Sequence, residues 1–117
     1  MKVLFISANR AEINMRTIPL GMASVAMAVK NAGHYVRLLD LMSEKDPFTA
    51  LAKAISEFQP ELIGISLRNI DDQNMCHPRL FLEEDKQVIE RCKSLSNAPI
   101  VLGGAGYSIF PQSALAY

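Results

Sequence analysis

The sequence has few of the residues from which several common functional sites are built. Its 117 residues include two cysteines and two histidines, and its 12 basic and 12 acidic residues give a formal net charge of zero. Cys76 and Cys92 form neither a disulfide framework nor a Cys-x-x-Cys pair, which favours a reduced, cytoplasmic setting. The balanced charge gives no support for a nucleic-acid partner or a membrane-surface partner.

Long apolar runs and targeting segments are missing as well. No apolar run approaches the roughly 20 residues that a membrane-spanning helix needs. The opening stretch, residues 1–7, is too short for a signal peptide and is typical of a strand. Half of the residues are apolar and no repeat is present, so residues 1–117 are expected to form one globular domain.

The sequence instead alternates short apolar runs with segments of helical periodicity. The apolar runs predict strands over residues 2–8, 35–41 and 61–67, and a fourth beginning at residue 100. Helices are predicted over residues 20–32, from the Asp46-Pro47 cap to before Pro60, over 82–95, and over 110–117.

This alternation predicts a parallel sheet with helices on both faces, a flavodoxin-like or Rossmann-like three-layer sandwich. The first strand is almost continuously apolar and therefore central, whereas the second carries Arg37 and ends at Asp40, as an edge strand can. The predicted strand order is 2-1-3-4. The chain ends where a fifth strand would follow, so we expect an excised N-terminal part of a longer protein.

Ligands of such sheets bind beyond the carboxyl ends of the strands. Three loops meet at that edge, over residues 9–18, 68–78 and 103–108. In the last loop, Gly103 and Gly104 directly follow a buried strand. These glycines either serve only a tight strand-to-helix turn or also let a flat ligand group approach the backbone.

The loop after the third strand has the richest polar cluster. Ser66 can point into a crevice or bond its own loop. Arg68 and Asn69 can present donors to a ligand, but Arg68 can equally pair with an acidic residue of the same loop, Asp71 or Asp72.

No catalytic or metal-ligating group is predicted. His34 precedes the second strand, at the opposite sheet edge, and Cys76-His77 lacks a third partner. The first strand ends in Asn9-Arg10, which lacks the clustered acids of a receiver domain. The loop that follows also lacks the Gly-x-Gly-x-x-Gly of a dinucleotide site.

Three short stretches lie in order on the predicted elements: Pro19-Leu20-Gly21, Leu62 to Ser66 with Arg68-Asn69-Ile70-Asp71 after it, and Val101-Leu102-Gly103-Gly104. Together they resemble the N-terminal cobalamin-binding domain of cobalamin-dependent radical S-adenosylmethionine proteins, over essentially the whole chain. The resemblance implies that the corrin lies over the carboxyl edge of the sheet and that the nucleotide tail enters a crevice.

The resemblance also implies a set of cofactor-binding residues. Ser66 would contact the tail, Gly103 and Gly104 would clear space for it, and residues 9–17 would lie under the corrin. The full set is Asn9, Arg10, Thr17, Leu20, Gly21, Ser66, Leu67, Arg68, Asn69, Gly103, Gly104, Ala105, Gly106 and Tyr107.

Two departures refine this expectation. The classical domains have Asp-x-His-x-x-Gly after the first strand and leucine where Arg68 stands here. Without that histidine, cobalamin is expected to bind base-off with no histidine on cobalt.

The Cys-x-x-x-Cys-x-x-Cys motif is also absent. The iron-sulfur cluster and S-adenosylmethionine would therefore belong to a downstream radical S-adenosylmethionine domain of a methyltransferase-type parent, and this part alone would not be catalytic.

Two rival hypotheses stay open. One is a flavodoxin-like signalling or interaction module without a cofactor, and the other is a family member whose pocket has lost cobalamin. Independently of these, the free edge of the fourth strand and apolar residues at Ile109, Phe110 and Leu115 predict self-association.

Overall fold

Four parallel strands pair in the order β2-β1-β3-β4, which confirms the predicted topology. The computed structural model describes residues 1–11 and 16–117. The strands are β1 (Lys2–Ser7), β2 (Tyr35–Asp40), β3 (Leu62–Ser66) and β4 (Ile100–Gly103). The helices are α1 (Leu20–Asn31), α2 (Pro47–Phe58), α3 (Leu82–Leu95), α4 (Ala105–Ile109) and α5 (Pro111–Ala116), and a short 3-10 turn spans Leu41–Ser43.

The core lies on the sheet face that α2 and α3 cover. Leu4 and Ile6 of β1 and Ile63 and Ile65 of β3 point to this face and are almost fully buried. Helix α2 begins where Asp46 accepts a hydrogen bond from the Thr49 amide at 3.2 Å. This cap satisfies one of the free amides of the first turn and explains the sharp start of the helix.

The opposite sheet face is covered only by α1 among the described helices. Met22 and Ala26 are the buried positions of α1, and their spacing of four residues places them on one face of the helix. Leu20, Val25 and Met27 remain more than half exposed. Because α1 packs on β1 and β2, the part of this face formed by β3 and β4 is open.

The end of the chain differs from the prediction. The helix expected from residue 110 is present as α5, but a further short helix that was not predicted, α4, begins at Ala105. Gly104 has φ +96°, which turns the chain directly out of β4, and its carbonyl accepts the Ser108 amide at 3.0 Å. Pro111, which has no amide hydrogen, then starts α5.

The remaining boundaries agree with expectation to within one residue. Gly33, with φ +95°, follows α1 as a helix-ending glycine. No helix in the described ranges is both long enough and apolar enough to cross a bilayer.

Candidate functional site

A crevice of about 500 Å³ opens between α1 and the uncovered sheet face. Its position follows from the alternation of strand side chains, which sends Phe5 and Ser7 to this face and Leu4 and Ile6 to the core. The volume lies within the range of small-molecule sites, roughly 300 to 1,000 Å³. The crevice reaches the carboxyl edge of the sheet, where the sequence predicted the site.

The floor of the crevice at that edge is a row of small side chains. Ser7 pairs with Asp40 of β2 on one side and with Ser66 of β3 on the other, and Ser66 pairs with Gly103 of β4. A Cβ atom on Gly103 would have no neighbour within 4 Å, so the space above it is open. The crevice is therefore open above Gly103, and Ser7 and Ser66 bring two hydroxyls to its lining.

The next row inward is apolar. It consists of Leu38, Phe5, Gly64 and Val101 in register across the four strands. The Phe5 ring extends over Gly64, because a Cβ atom on that glycine would lie 2.8 Å from ring atom Cδ1 and 2.9 Å from Cε1. The helical wall opposite this row contributes Met22, Val25 and Val29. The inner crevice therefore suits a flat, apolar group.

Two loops meet at the mouth of the crevice. The Arg68 guanidinium, after β3, donates a hydrogen bond to Thr17 Oγ1, ahead of α1. Arg68 is therefore engaged with Thr17 rather than with Asp71 or Asp72, the partners that the sequence had left open. Asn9 Oδ1 accepts the Ala11 amide at 3.3 Å. The part of this predicted corrin-binding loop over residues 12–15 lies outside the described residues.

Two of the predicted glycines are explained by backbone packing. A Cβ atom on Gly104 would lie 2.6 Å from the Leu67 carbonyl oxygen, and one on Gly106 would lie 3.0 Å from the carbonyl oxygens of Leu67 and Arg68. The Gly106 amide donates to the Leu67 carbonyl at 2.9 Å. Both glycines let the turn into α4 rest against the end of β3, whereas Gly103 leaves space toward the crevice.

The crevice brings together nine of the fourteen predicted residues. They are Asn9, Thr17, Leu20, Gly21, Ser66, Arg68, Gly103, Gly104 and Ala105. The other five, Arg10, Leu67, Asn69, Gly106 and Tyr107, do not line it.

The side chains of Leu67 and Tyr107 belong to or pack against the core on the α2 and α3 face. Arg10 lies 5.4 Å from the Phe48 ring centroid and 3.7 Å from Glu84 Oε2. Glu84 also pairs with Arg79, so one carboxylate bridges the loops that follow β1 and β3.

Several lining residues were not predicted. Phe5, Ser7, Asp40 and Val101 line the crevice from the sheet, and Met22 and Val25 line it from α1. The four sheet residues could have been found from the sequence. Side chains alternate between the two faces of a strand, so the predicted strand order places these four on the face of the crevice.

Asp85, beside Glu84 in α3, is buried with 5% of its surface exposed. Its Oδ2 has no hydrogen-bond partner within residues 1–11 and 16–117. Burial, together with the nearby Glu84 carboxylate, raises the pKa of Asp85 to about 7 against the opposing effect of Arg10. In the sequence, Asp85 is the third of three consecutive acidic residues in the first turn of α3, and nothing in that pattern distinguishes it from Glu83 and Glu84.

The histidines lie where the sequence placed them. His34 Nδ1 is 3.3 Å from the N-terminal amine, at the amino edge of the sheet. His77 is exposed in the loop closed by the Asp71 and Leu80 bridge, beside the exposed Cys76. Within the described ranges, no three histidine, cysteine or acidic side chains form a group that could hold a metal ion.

Known proteins share this architecture. Over residues 6–117 the chain matches the family model described as the B12 binding domain. The tryptophan 2-C-methyltransferase of Streptomyces laurentii is 28% identical over 110 residues, which are 93% of this chain and 18% of that enzyme.

Two solved structures of TsrM, a radical S-adenosylmethionine methyltransferase from Kitasatospora setae, match with a TM-score of 0.92 at 29% identity. One has cobalamin and a 4Fe-4S cluster bound, and the other has the tryptophan substrate and aza-SAM. The matches cover 99% of this chain but 20% and 21% of TsrM, so the chain spans about a fifth of that protein. With the family model covering nearly all of its residues, the chain belongs to the B12-binding domain family.

Proposed function

We propose that this chain is a cobalamin-binding module that holds the nucleotide tail of the cofactor in the crevice between α1 and the sheet. The observation that carries the proposal is the crevice floor, where Ser7, Ser66 and Gly103 stand in register along the lining, with open space above Gly103. Membership of the B12-binding domain family supports the identity of the ligand.

The residues of the crevice fit the chemistry of such a tail. The apolar inner part, with Phe5, Val25 and Val101, suits an aromatic base. The hydroxyls of Ser7 and Ser66 can donate to or accept from the polar linker at the sheet edge. Arg68, held by Thr17 at the mouth, supplies a positive charge suited to a phosphate.

Cobalamin supplies a redox-active cobalt for group transfer, and this chain would bind and orient it. We expect the cofactor to be base-off, because its own base would occupy the crevice. We also expect no histidine on cobalt, since residues 9–17 contain none, His34 lies at the opposite sheet edge and His77 lies in a separate exposed loop.

The module would serve a larger enzyme of the radical S-adenosylmethionine methyltransferase type. Support comes from the match to TsrM, whose structure contains cobalamin and a 4Fe-4S cluster. Two cysteines cannot provide the three thiolates of the expected cluster motif. The cluster and S-adenosylmethionine would therefore be bound by a downstream domain of the parent chain.

A titration with hydroxocobalamin tests the proposal. We expect coloured protein after gel filtration and a visible spectrum that saturates at one cofactor per chain. A matched pair of variants locates the site: Ser66→Leu fills the crevice floor, whereas Ser56→Leu changes an exposed serine of α2. Loss of binding only in Ser66→Leu is expected. Colourless wild-type protein throughout the titration would favour a cofactor-free interaction module.

Self-association is a second property that the exposed elements support. Strand β4 pairs with β3 and has no second partner strand in the described ranges, and Val101 is 55% exposed. Ile109, Phe110 and Leu115 add exposed apolar surface after it. We expect the average mass from light scattering to rise with concentration, and a constant monomer mass would contradict this.

A further inference from the structure

We infer that Phe5 is the residue that seats the aromatic base of the tail, and that Gly64 is required to give its ring that position. The inference rests on the proposed function and assigns the inner end of the same crevice to the aromatic base. Phe5 on β1 and Gly64 on β3 are direct partners in the register of these neighbouring strands.

The ring position follows from the missing side chain on β3. Strand alternation directs both Phe5 and Gly64 to the α1 face. A methyl group on Gly64 would approach the Phe5 ring to 2.8 Å, well inside van der Waals contact, so the ring uses space that any other residue would fill. The ring thus lies across β3 and not toward β2.

This placement makes the ring part of the crevice lining. One row toward the carboxyl edge, the floor drops to the small side chains of Ser7 and Ser66, and Val101 continues the apolar row on β4. A ligand entering from the edge meets hydroxyls first and the Phe5 ring next. This order of polar then aromatic surface matches a tail whose linker is polar and whose terminal base is flat and apolar.

The structure also separates this role from core packing. The core cluster lies on the other sheet face and contains Leu4 and Ile6, the two neighbours of Phe5 along the strand, but not Phe5 itself. Phe58, in contrast, packs against that core and lies at the end of α2, away from the crevice. It therefore serves as a matched control for the loss of a partly buried phenylalanine.

The test compares hydroxocobalamin with dicyanocobinamide, which has the corrin but lacks the phosphate, the ribose and the base of the nucleotide tail. Dissociation constants are measured by spectral titration for the wild type, Phe5→Leu, Gly64→Ala, the double variant and Phe58→Leu. In Phe5→Leu we expect cobalamin to bind about 10-fold more weakly, the size of a lost aromatic contact, with cobinamide binding unchanged. Phe58→Leu should leave the ratio of the two constants at the wild-type value.

Gly64→Ala should lower cobalamin affinity selectively as well, because the new methyl group displaces the ring into the space of the base. In the double variant the methyl group no longer meets a ring. Gly64→Ala should therefore lower cobalamin affinity much less in the Phe5→Leu background than in the wild-type background. Two independent sites would instead give additive effects.

The outcomes distinguish a failure of cobalamin binding from a failure of the role assigned to Phe5. If the wild type binds neither corrinoid, the proposed function fails, and this inference fails with it. If both corrinoids bind but their ratio is the same in Phe5→Leu and the wild type, cobalamin binding stands and the role of Phe5 is overturned. Thermal unfolding of each variant, measured without ligand, shows whether a change in the ratio is independent of folding.

Discussion

Gly104 rests on the backbone of Leu67, with no room between them for a side chain. A Cβ atom on Gly104 would lie 2.6 Å from the Leu67 carbonyl oxygen and 2.9 Å from its amide nitrogen. With φ +96°, Gly104 also has a backbone conformation that residues with a side chain rarely adopt. The turn from β4 into α4 therefore requires glycine at this position for folding.

We expect Gly104→Ala to destabilise the domain by about 2 to 4 kcal/mol, because left-handed strain and a backbone clash add together. Urea unfolding monitored by circular dichroism measures the change. Gly103→Ala is the matched control. A Cβ atom on Gly103 would meet nothing within 4 Å, and that variant should keep wild-type stability. Equal stability of the two variants would contradict this assignment.

Gly103→Val should separate binding from folding. The valine side chain would occupy open space at the crevice floor beside Ser66, while β-branched residues are favoured in strands. We therefore expect an unchanged unfolding transition and a loss of cobalamin retention on gel filtration. Retention of cobalamin at the wild-type level would remove Gly103 from the tail site.

Asp85 should make the stability of the domain decrease as pH rises. Its pKa is about 7 in the folded chain and 3.8 in the reference state, so the unfolded chain releases this proton first. Between these two values the folded state loses stability with increasing pH, and above about pH 7 the loss is complete, on the order of 4 kcal/mol in total.

The Asp85→Asn variant removes this titration. From about pH 5 to about pH 8, the unfolding free energy of the wild type should fall by about 3 kcal/mol more than that of the variant. Glu90→Gln, an exposed change on the same helix, should follow the wild type. Parallel pH profiles for the wild type and Asp85→Asn would show that Asp85 is ionised in the folded chain.

Electron paramagnetic resonance of the bound Co(II) form tests the axial ligand. We expect no nitrogen superhyperfine splitting, because no histidine is placed in the loop after β1 and the base of the cofactor would lie in the crevice. His77→Ala should leave the spectrum unchanged. Splitting that disappears in His77→Ala would identify His77 as a ligand, and splitting that persists would indicate a base-on cofactor.

Sequence patterns were sufficient for the topology. The order of the strands followed from the nearly continuous apolar run of β1 and the charged residue in β2, and the structure confirms it. The helix predicted from residue 110 corresponds to α5, but α4 before it was not predicted, because a glycine with positive φ can begin a helix directly after a strand.

The site was predicted at its edge and missed in its interior. Ser66 and Gly103 stood out because they interrupt apolar runs at strand ends. Phe5 did not, since an aromatic residue in a buried strand is ordinary, and its role depends on the absent side chain of Gly64 on another strand. Asp85 was missed for a related reason, because whether a first-turn carboxylate is exposed depends on which helix face packs inward.

The row formed by Ser7, Ser66 and Gly103 exists in only one alignment of the three strands. A shift of one residue along any strand would turn its small residue away and present an apolar neighbour such as Ile6, Ile65 or Leu102 in its place. A ligand that recognises this row therefore recognises correct strand alignment itself. Such a ligand stabilises only the aligned sheet. Raising the ligand concentration would therefore shift the folding equilibrium toward the aligned form and lower the population of misaligned forms.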